Sequence, residues 1–196
     1  MMHIPVEACL ASEFRYSEPI LGESSLVIII SQSGETLDSM AALREAKRRG
    51  SKVLSIVNVM GSSIARESDY VLYTWAGPEI AVATTKAYTT QMVLLLMFGV
   101  YLAKQLDRME QEEYMAVTRG LQELPEKISF VLSDIDHYQK AASRYFNHNS
   151  VFYIGRNLDY ALGLEGSLKL KEISYIHSES YAAGELKHGT ISLIEP

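Results

Sequence analysis

The sequence predicts an α/β fold in which helices flank a parallel sheet. Short apolar runs recur along the chain, segments of helical periodicity separate them, and small polar residues or glycine follow two of the runs. The first run, Leu26 to Ile30, is short and rich in β-branched residues, which is typical of a parallel strand buried on both faces. We therefore expect successive βαβ units joined by right-handed crossovers.

The other elements follow from the same patterns. A helix is predicted after the first strand, with apolar positions from Leu37 to Ala46 and an end at Arg48-Arg49-Gly50. Strands are predicted at KVLSIV (52–57), YVLY (70–73) and VFYI (151–154). Helices are predicted over 81–106, from 110 to a break near Pro125, over 135–146, and through LEGSLKLKEISYI (164–176).

Strand, polar loop and helix occur in this order twice, which predicts two tandem partial units. The expected bounds are 1–110 for the first unit, 111–140 for a helical connector and 141–196 for the second unit. Only one strand is evident in the second unit, because the segment after its helix has the composition of a turn. Both units are expected to be incomplete, the first at its N-terminus and the second at its C-terminus.

Composition narrows the function classes. A chain of 196 residues with 47% hydrophobic residues is long enough to bury a core, and its formal net charge of −6 argues against nucleic acid and anionic membranes as partners. A single Cys9 excludes an internal disulfide and favours a reducing compartment. The most apolar segment, Met92 to Leu102, is shorter than the roughly 20 residues of a membrane span, so we expect a buried helix there.

The turn SQSGET, Ser31 to Thr36, is the first candidate site. It precedes a helix N-terminus, where backbone N–H groups and the helix dipole favour an anion, and its hydroxyl and amide groups add donors. The glycine spacing fits neither a nucleoside-triphosphate loop nor a dinucleotide fingerprint. Helix capping by Thr36 or Asp38 explains the local pattern equally well. Thr84, Thr85 and Lys86 similarly precede the long helix, where capping is the simpler interpretation and ligand contact the alternative.

The second candidate site lies in the last third of the chain. Glu165, Lys169 and Glu172 share one helix face, an arrangement that most often marks a solvated face with an ion pair. The segment after that helix carries His177 and His188 among acidic residues, and such groups serve as proton carriers near neutral pH. His188 is the better catalytic candidate, with an ordinary surface histidine as the alternative. No metal-ligand spacing is found among the five histidines.

Four segments together resemble the sugar isomerase (SIS) domain of the glutamine-dependent glucosamine-6-phosphate synthases. They are SQSGET (31–36), GSSIARESD (61–69), AGPEIAVATTKAYTTQ (76–91) and EGSLKLKEISYIHSESYAAGELKHG (165–189). SQSGET is common to many phosphosugar-binding units of this flavodoxin-like or Rossmann-like fold, whereas the last segment is more specific. The resemblance implies conversion of fructose 6-phosphate to glucosamine 6-phosphate in the cytoplasm, without a metal or redox cofactor.

The resemblance also implies roles for individual residues. The phosphate ligands would be Ser31, Gln32, Ser33 and Thr36, and the backbone of Val82 would contact the sugar. Glu172 matches the catalytic glutamate that moves a proton between C1 and C2. Lys169 matches the helix lysine beside it, and His188 matches the histidine that opens the sugar ring.

The resemblance also implies partners, and this sequence departs from the family pattern at several points. The family implies a homodimer and a glutaminase domain that releases ammonia, and this chain contains no such domain. A first strand with further phosphate ligands and a C-terminal lysine also lie outside the match, and Ala81 and Thr190 stand where glycine and proline are usual. A sugar-phosphate sensor without catalysis and a fructosamine-6-phosphate deglycase remain alternatives.

Overall fold

Residues 4–194 are described by a computed structural model, in which the chain divides into two units between Glu123 and Leu124. The two units are described separately below. The helical connector predicted over 111–140 spans this division.

Unit 1 is built on a three-stranded parallel sheet. Its strands are β1 (Leu26–Ser31), β2 (Lys52–Val57) and β3 (Tyr70–Tyr73), arranged in the order β1-β2-β3. Ile30 lies opposite Ile56, and Leu54 lies opposite Tyr70. The predicted parallel sheet and its three strand positions are confirmed.

The expectation that β1 is buried on both faces is wrong. β2 is the central strand and is buried along nearly its whole length, whereas β1 lies at the sheet edge, with Leu26 and Ile30 exposed. A run of apolar residues does not distinguish a central from an edge strand, because that difference depends on which strands pair beside it.

Helices cover the sheet of unit 1. They are α1 (Ala11–Phe14), α2 (Leu37–Arg48) and α3 (Ser63–Glu67). α2 has the predicted bounds and places Leu43 and Ala46, both fully buried, in a core with Val53, Val57 and Ile64. This core fixes the position of α2 against β1 and β2, and therefore the position of the turn that joins β1 to α2.

The long apolar helix differs from its prediction. α4 spans Lys86–Gln105, so it begins five residues later than expected, and only Ala87, Val100 and Ala103 in it are buried. Within residues 4–194, α4 is the one helix that is long and apolar enough to cross a membrane. Only 17% of its apolar 18-residue stretch is buried. The expectation of a buried helix is therefore wrong for this chain, because α5 (Gln111–Gln122) covers only part of its surface.

Unit 2 is built on a two-stranded parallel sheet. Its elements are α6 (Leu124–Leu132), α7 (Ile135–Tyr145), β4 (Ser150–Gly155), α8 (Leu158–Ser174), β5 (His177–Ala182) and a short 3₁₀ helix (Thr190–Leu193). α8 packs on both strands. At the β4–α8 turn, a Cβ on Gly155 would lie 2.4 Å from the backbone of Asp159, so this turn requires glycine.

β5 is a strand that the sequence did not predict. Its residues alternate between the two faces of the sheet: the buried Ser178 bonds to Ser167 of α8, while Tyr181 stacks edge-on with Phe152 of β4. The composition of the segment predicts a turn, because serine, glutamate and histidine are not typical strand residues. A second departure is Pro125, which ends α5 as expected but lies in the first turn of α6.

Candidate functional site

The turn after β1 is a network of hydroxyl groups and backbone amides. Ser31 Oγ and Thr36 Oγ1 are 3.0 Å apart, and Ser31 Oγ also accepts the Gly34 N–H at 3.1 Å. Ser33 Oγ accepts the Glu35 N–H at 3.2 Å. The structure thus brings three of the four predicted phosphate ligands into one hydrogen-bonded turn, with Gln32 between them in the chain.

Neighbouring segments hold this turn in place. Asn58 N–H, just beyond β2, donates to the Gln32 carbonyl at 3.0 Å, and Ile64 N–H donates to the Gly34 carbonyl at 3.0 Å. Glu35 Oε1 accepts the Ser63 N–H at 2.8 Å, a bond that lowers the pKa of Glu35. The turn is therefore tied to the segment between β2 and α3.

Gly34 is required at its position. Its φ is +68°, and a Cβ there would lie 2.1 Å from Ser62 Oγ. Ser62 is buried and its hydroxyl has no protein partner among the described residues. No other residue type meets both conditions without a shift of the turn.

Side-chain capping does not account for the turn. Thr36 is the N-cap residue of α2 by position, yet its side chain makes no capping hydrogen bond and pairs with Ser31 instead. The first backbone amides of α2 and the positive end of its dipole therefore lie beside a cluster of hydroxyl groups. This combination is suited to hold an anion without a metal.

The loop after β3 contains the predicted sugar contact. Val82 is exposed, and its carbonyl accepts a bond from Thr84 Oγ1 at 3.4 Å. The capping expected from Thr84, Thr85 and Lys86 is not formed by Thr85, the N-cap residue of α4. Glu79 performs that role instead, because its carboxylate accepts the Ala81 N–H at 3.3 Å and the Ala87 N–H at 3.4 Å.

An open depression of about 580 Å³ lies at the C-terminal edge of the unit 1 sheet. Gln32 follows β1, Asn58 follows β2 and Trp75 follows β3, and all three line it together with Glu79. Ligands of parallel α/β sheets bind outside the carboxyl ends of the strands. The depression is therefore adjacent to the polar turn at the edge where a ligand is expected.

In unit 2, Lys169 lies between two carboxylates on α8. Its Nζ is 2.6 Å from Glu172 Oε2 and 3.4 Å from Glu165 Oε1, and the Lys169 side chain is 21% exposed. Burial lowers the pKa of Lys169, but the hydrogen bond to Glu172 and the charge of Glu165 outweigh it, so the net pKa is raised. Lys169 is thus held as a cation beside an accessible carboxylate.

His188 lies in the turn that follows β5. It is exposed, and its backbone N–H donates to the Glu185 carbonyl at 2.9 Å. The predicted residues therefore form two groups: the polar turn and Val82 belong to unit 1, and Lys169, Glu172 and His188 belong to unit 2. Within residues 4–194, no group of three or more His, Cys, Asp or Glu side chains is arranged to hold a metal ion.

The sequence patterns do not predict two residues at the edge of the site. Asn58 and Glu79 organise the loop after β3 through their side chains. A signal for Asn58 was present, because a polar residue directly after a buried strand marks the carboxyl edge of a parallel sheet. Glu79 has no such signal, since its partners are the backbone amides of Ala81 in its own loop and of Ala87 in the first turn of α4.

Comparison with known proteins gives consistent matches over the chain. The SIS domain model matches residues 1–101 and 144–196. Glutamine–fructose-6-phosphate aminotransferases (isomerizing) from Caldanaerobacter subterraneus subsp. tengcongensis and Symbiobacterium thermophilum are 58% and 57% identical over 98% and 97% of this chain. The chain spans 32% and 31% of their lengths, about a third of each.

A solved structure extends the comparison to the fold. The C-terminal domain of glucosamine-fructose-6-phosphate aminotransferase from Francisella tularensis is 38% identical, with a TM-score of 0.94 over 98% of this chain and 55% of that one. The SIS domain model covers more than half of the chain, and its two matched ranges contain the polar turn of unit 1 and the Lys169–Glu172 pair of unit 2. The chain therefore belongs to the SIS domain family.

Proposed function

We propose that this chain is the isomerase part of a glucosamine-6-phosphate synthase. It would convert fructose 6-phosphate and ammonia to glucosamine 6-phosphate. The observation that carries this proposal is the match, at 58% identity over 98% of the chain, to a relative named for this reaction. The hydroxyl-rich turn and the Lys169–Glu172 pair would supply the two chemical functions that such a reaction requires, namely anion binding and proton transfer.

The polar turn would hold the phosphate. Ser31, Gln32, Ser33 and Thr36 would donate to its oxygens beside the N-terminus of α2, where charge-assisted hydrogen bonds are stronger than neutral ones. The backbone of Val82 would contact the sugar. Phosphate recognition of this kind leaves the carbons at the other end of the substrate free to react.

The unit 2 group would carry the chemistry. His188 would assist opening of the sugar ring, after which ammonia replaces the carbonyl oxygen at C2 with loss of water. Glu172 would take a proton from C1 and return one to C2, which converts the ketose derivative to the aldose. Lys169 Nζ lies 2.6 Å from Glu172 Oε2, and this hydrogen bond would hold the carboxylate in position for the transfer.

The raised pKa of Lys169 supports a second role for this side chain. An ammonium group that stays protonated near neutral pH stabilises negative charge that develops on the substrate oxygen during proton transfer. The sensor alternative requires neither Lys169 nor Glu172. A deglycase would share the chemistry at C1 and C2, and the names of the matched relatives favour the synthase.

The proposal includes partners and location. Ammonia would come from a glutaminase domain, the active form would be a homodimer, and the protein would act in the cytoplasm. We also propose the bounds 1–110, 111–140 and 141–196 for the two SIS units and their connector.

The test is titration of the purified chain with glucosamine 6-phosphate and fructose 6-phosphate, with glucosamine and inorganic phosphate as controls. The double variant Ser33→Ala/Thr36→Ala is expected to weaken binding of both phosphosugars by about 1–3 kcal/mol. Ser68→Ala, which removes a hydroxyl bond to the Ile64 carbonyl elsewhere in unit 1, is the matched control. Equal affinity of the double variant and the unmodified chain would remove the phosphate site from this turn.

A further inference from the structure

We infer that Asn58 is a positioning residue for the sugar end of the substrate: it fixes the loop after β3 beside the phosphate-binding turn. The inference rests on the proposed function, because it names a residue that would shape the same binding site. Asn58 follows β2, the central strand, and lines the depression at the sheet edge.

The side chain of Asn58 makes three hydrogen bonds to that loop. Its Oδ1 accepts the Thr74 hydroxyl at 3.0 Å and the Ala76 N–H at 2.9 Å, and its Nδ2 donates to the Gly77 carbonyl at 2.7 Å. Both acceptor positions and one of the two donor positions of the amide are therefore used. A side chain with this many bonds to one short segment defines the conformation of that segment.

The backbone of Asn58 makes a separate connection. Its N–H donates to the Gln32 carbonyl within the polar turn. One residue thus links the phosphate-binding turn, through its main chain, to the loop after β3, through its amide group. A side-chain substitution breaks the second link and leaves the first intact.

The loop needs this support because its backbone is strained. Trp75 has a φ of +54°, whereas the φ of +69° at Gly77 is one that glycine adopts without strain. A bulky residue with positive φ is unfavourable and persists only where the surroundings hold it. The three bonds from Asn58 reach the residues on both sides of Trp75 and Gly77 itself.

The polar turn and the loop after β3 would therefore make separate contributions to ligand binding. The turn would bind phosphate with or without an ordered loop, whereas contacts to the remainder of a phosphosugar depend on where the loop lies. Loss of the Asn58 side chain should therefore reduce the preference for a phosphosugar over inorganic phosphate. A residue that merely stabilises unit 1 would not change that preference.

The test compares Asn58→Ala and Thr74→Val with the unmodified chain and with the control Ser68→Ala. Asn58→Ala is expected to weaken binding of glucosamine 6-phosphate about tenfold, while inorganic phosphate affinity stays within about twofold. Thr74→Val, which removes one of the three bonds, should show a smaller change in the same direction. Equal losses for both ligands, or no loss for either, would overturn the inference.

Hydrogen exchange in the ligand-free chain provides the second measurement. The Ala76 amide should exchange faster in Asn58→Ala than in the unmodified chain, while β2 amides keep their protection. Unchanged exchange at Ala76 overturns the inference whatever the ligands do. Failure of the unmodified chain to bind any phosphosugar would instead count against the proposed function, so the two failures are distinguishable.

Discussion

At the scale of single residues, Gly34 shows how the absence of a side chain can be required at one position of the site. Its positive φ and its close approach to Ser62 both require glycine, and it lies in the middle of the polar turn. The sequence predicted the turn from its composition. It did not reveal the contact with Ser62, because the two residues are distant in the chain.

Gly34→Ala should therefore destabilise unit 1 by about 1–3 kcal/mol and weaken phosphate binding. Urea unfolding and phosphate titration measure the two effects. The matched control is Gly120→Ala in α5, where a Cβ meets nothing within 4 Å and the gain in helix propensity is up to about 1 kcal/mol. Similar stabilities for the two variants would contradict the requirement for glycine at position 34.

Glu172 is the residue on which the proposed chemistry depends. Glu172→Gln keeps the shape of the side chain but removes its basicity, so phosphosugar binding should stay within a few-fold while interconversion of the two sugar phosphates is lost. The assay is best done in a full-length chain supplied with ammonium. Glu165→Gln, which removes the longer of the two contacts to Lys169, should cost less activity. Parallel loss of binding and turnover in Glu172→Gln would indicate a structural role.

At the scale of elements, the sequence predicted those helices and strands whose burial produces a regular pattern of apolar residues. α2 and β2 have their predicted bounds, because an amphipathic helix leaves a clear periodicity and a buried strand leaves a short continuous apolar run. β5 has no such pattern. Its pairing with β4 and the bond between Ser178 and Ser167 determine its conformation, and neither is visible in local composition.

The last turn of α2 provides a pH-dependent test. Glu45 bonds to Arg48 and Arg49, and these bonds lower its pKa to about 2. A lowered folded-state pKa contributes stability that is present above the ordinary value of 4.5 and is lost as pH falls towards 2. The difference in melting temperature between the unmodified chain and Glu45→Gln should therefore be largest above pH 4.5 and vanish near pH 2. Added salt should reduce it, and Glu7→Gln, at an exposed acid outside the helices, is the control. A pH-independent difference would contradict the ion pairs.

At the scale of the whole molecule, the two units differ in their interiors. Every buried hydrophobic residue among residues 4–194 belongs to unit 1, whereas unit 2 buries only Ser167, Ser178 and the glycine at 155. Apolar side chains of α6 and α7 such as Phe130, Val131 and Tyr145 are exposed. Since apolar burial is the main stabilising term in folding, we expect unit 2 to be less stable than unit 1.

Hydrogen exchange should reveal this difference directly. Amides of β2 are expected to be the most protected, those of β4, β5 and α8 less so, and those of α6 and α7 least. If a homodimer covers unit 2, its protection should rise with protein concentration, while that of β2 stays constant. Equal protection of β2 and α7 in the dilute chain would contradict the assignment of the core to unit 1.

The sequence by itself determined the α/β class, the positions of β1 to β4 and of α2, the polar turn before α2, and the shared helix face of Lys169 and Glu172. These features depend on residues close together in the chain, where periodicity and spacing are visible. Tertiary structure decided that β1 is an edge strand, that His177–Ala182 is a strand, that Glu79 rather than Thr85 caps α4, and that Asn58 links two loops. Each of these depends on which segments meet in space, and hydrogen bonds between such segments leave no periodic trace in the sequence.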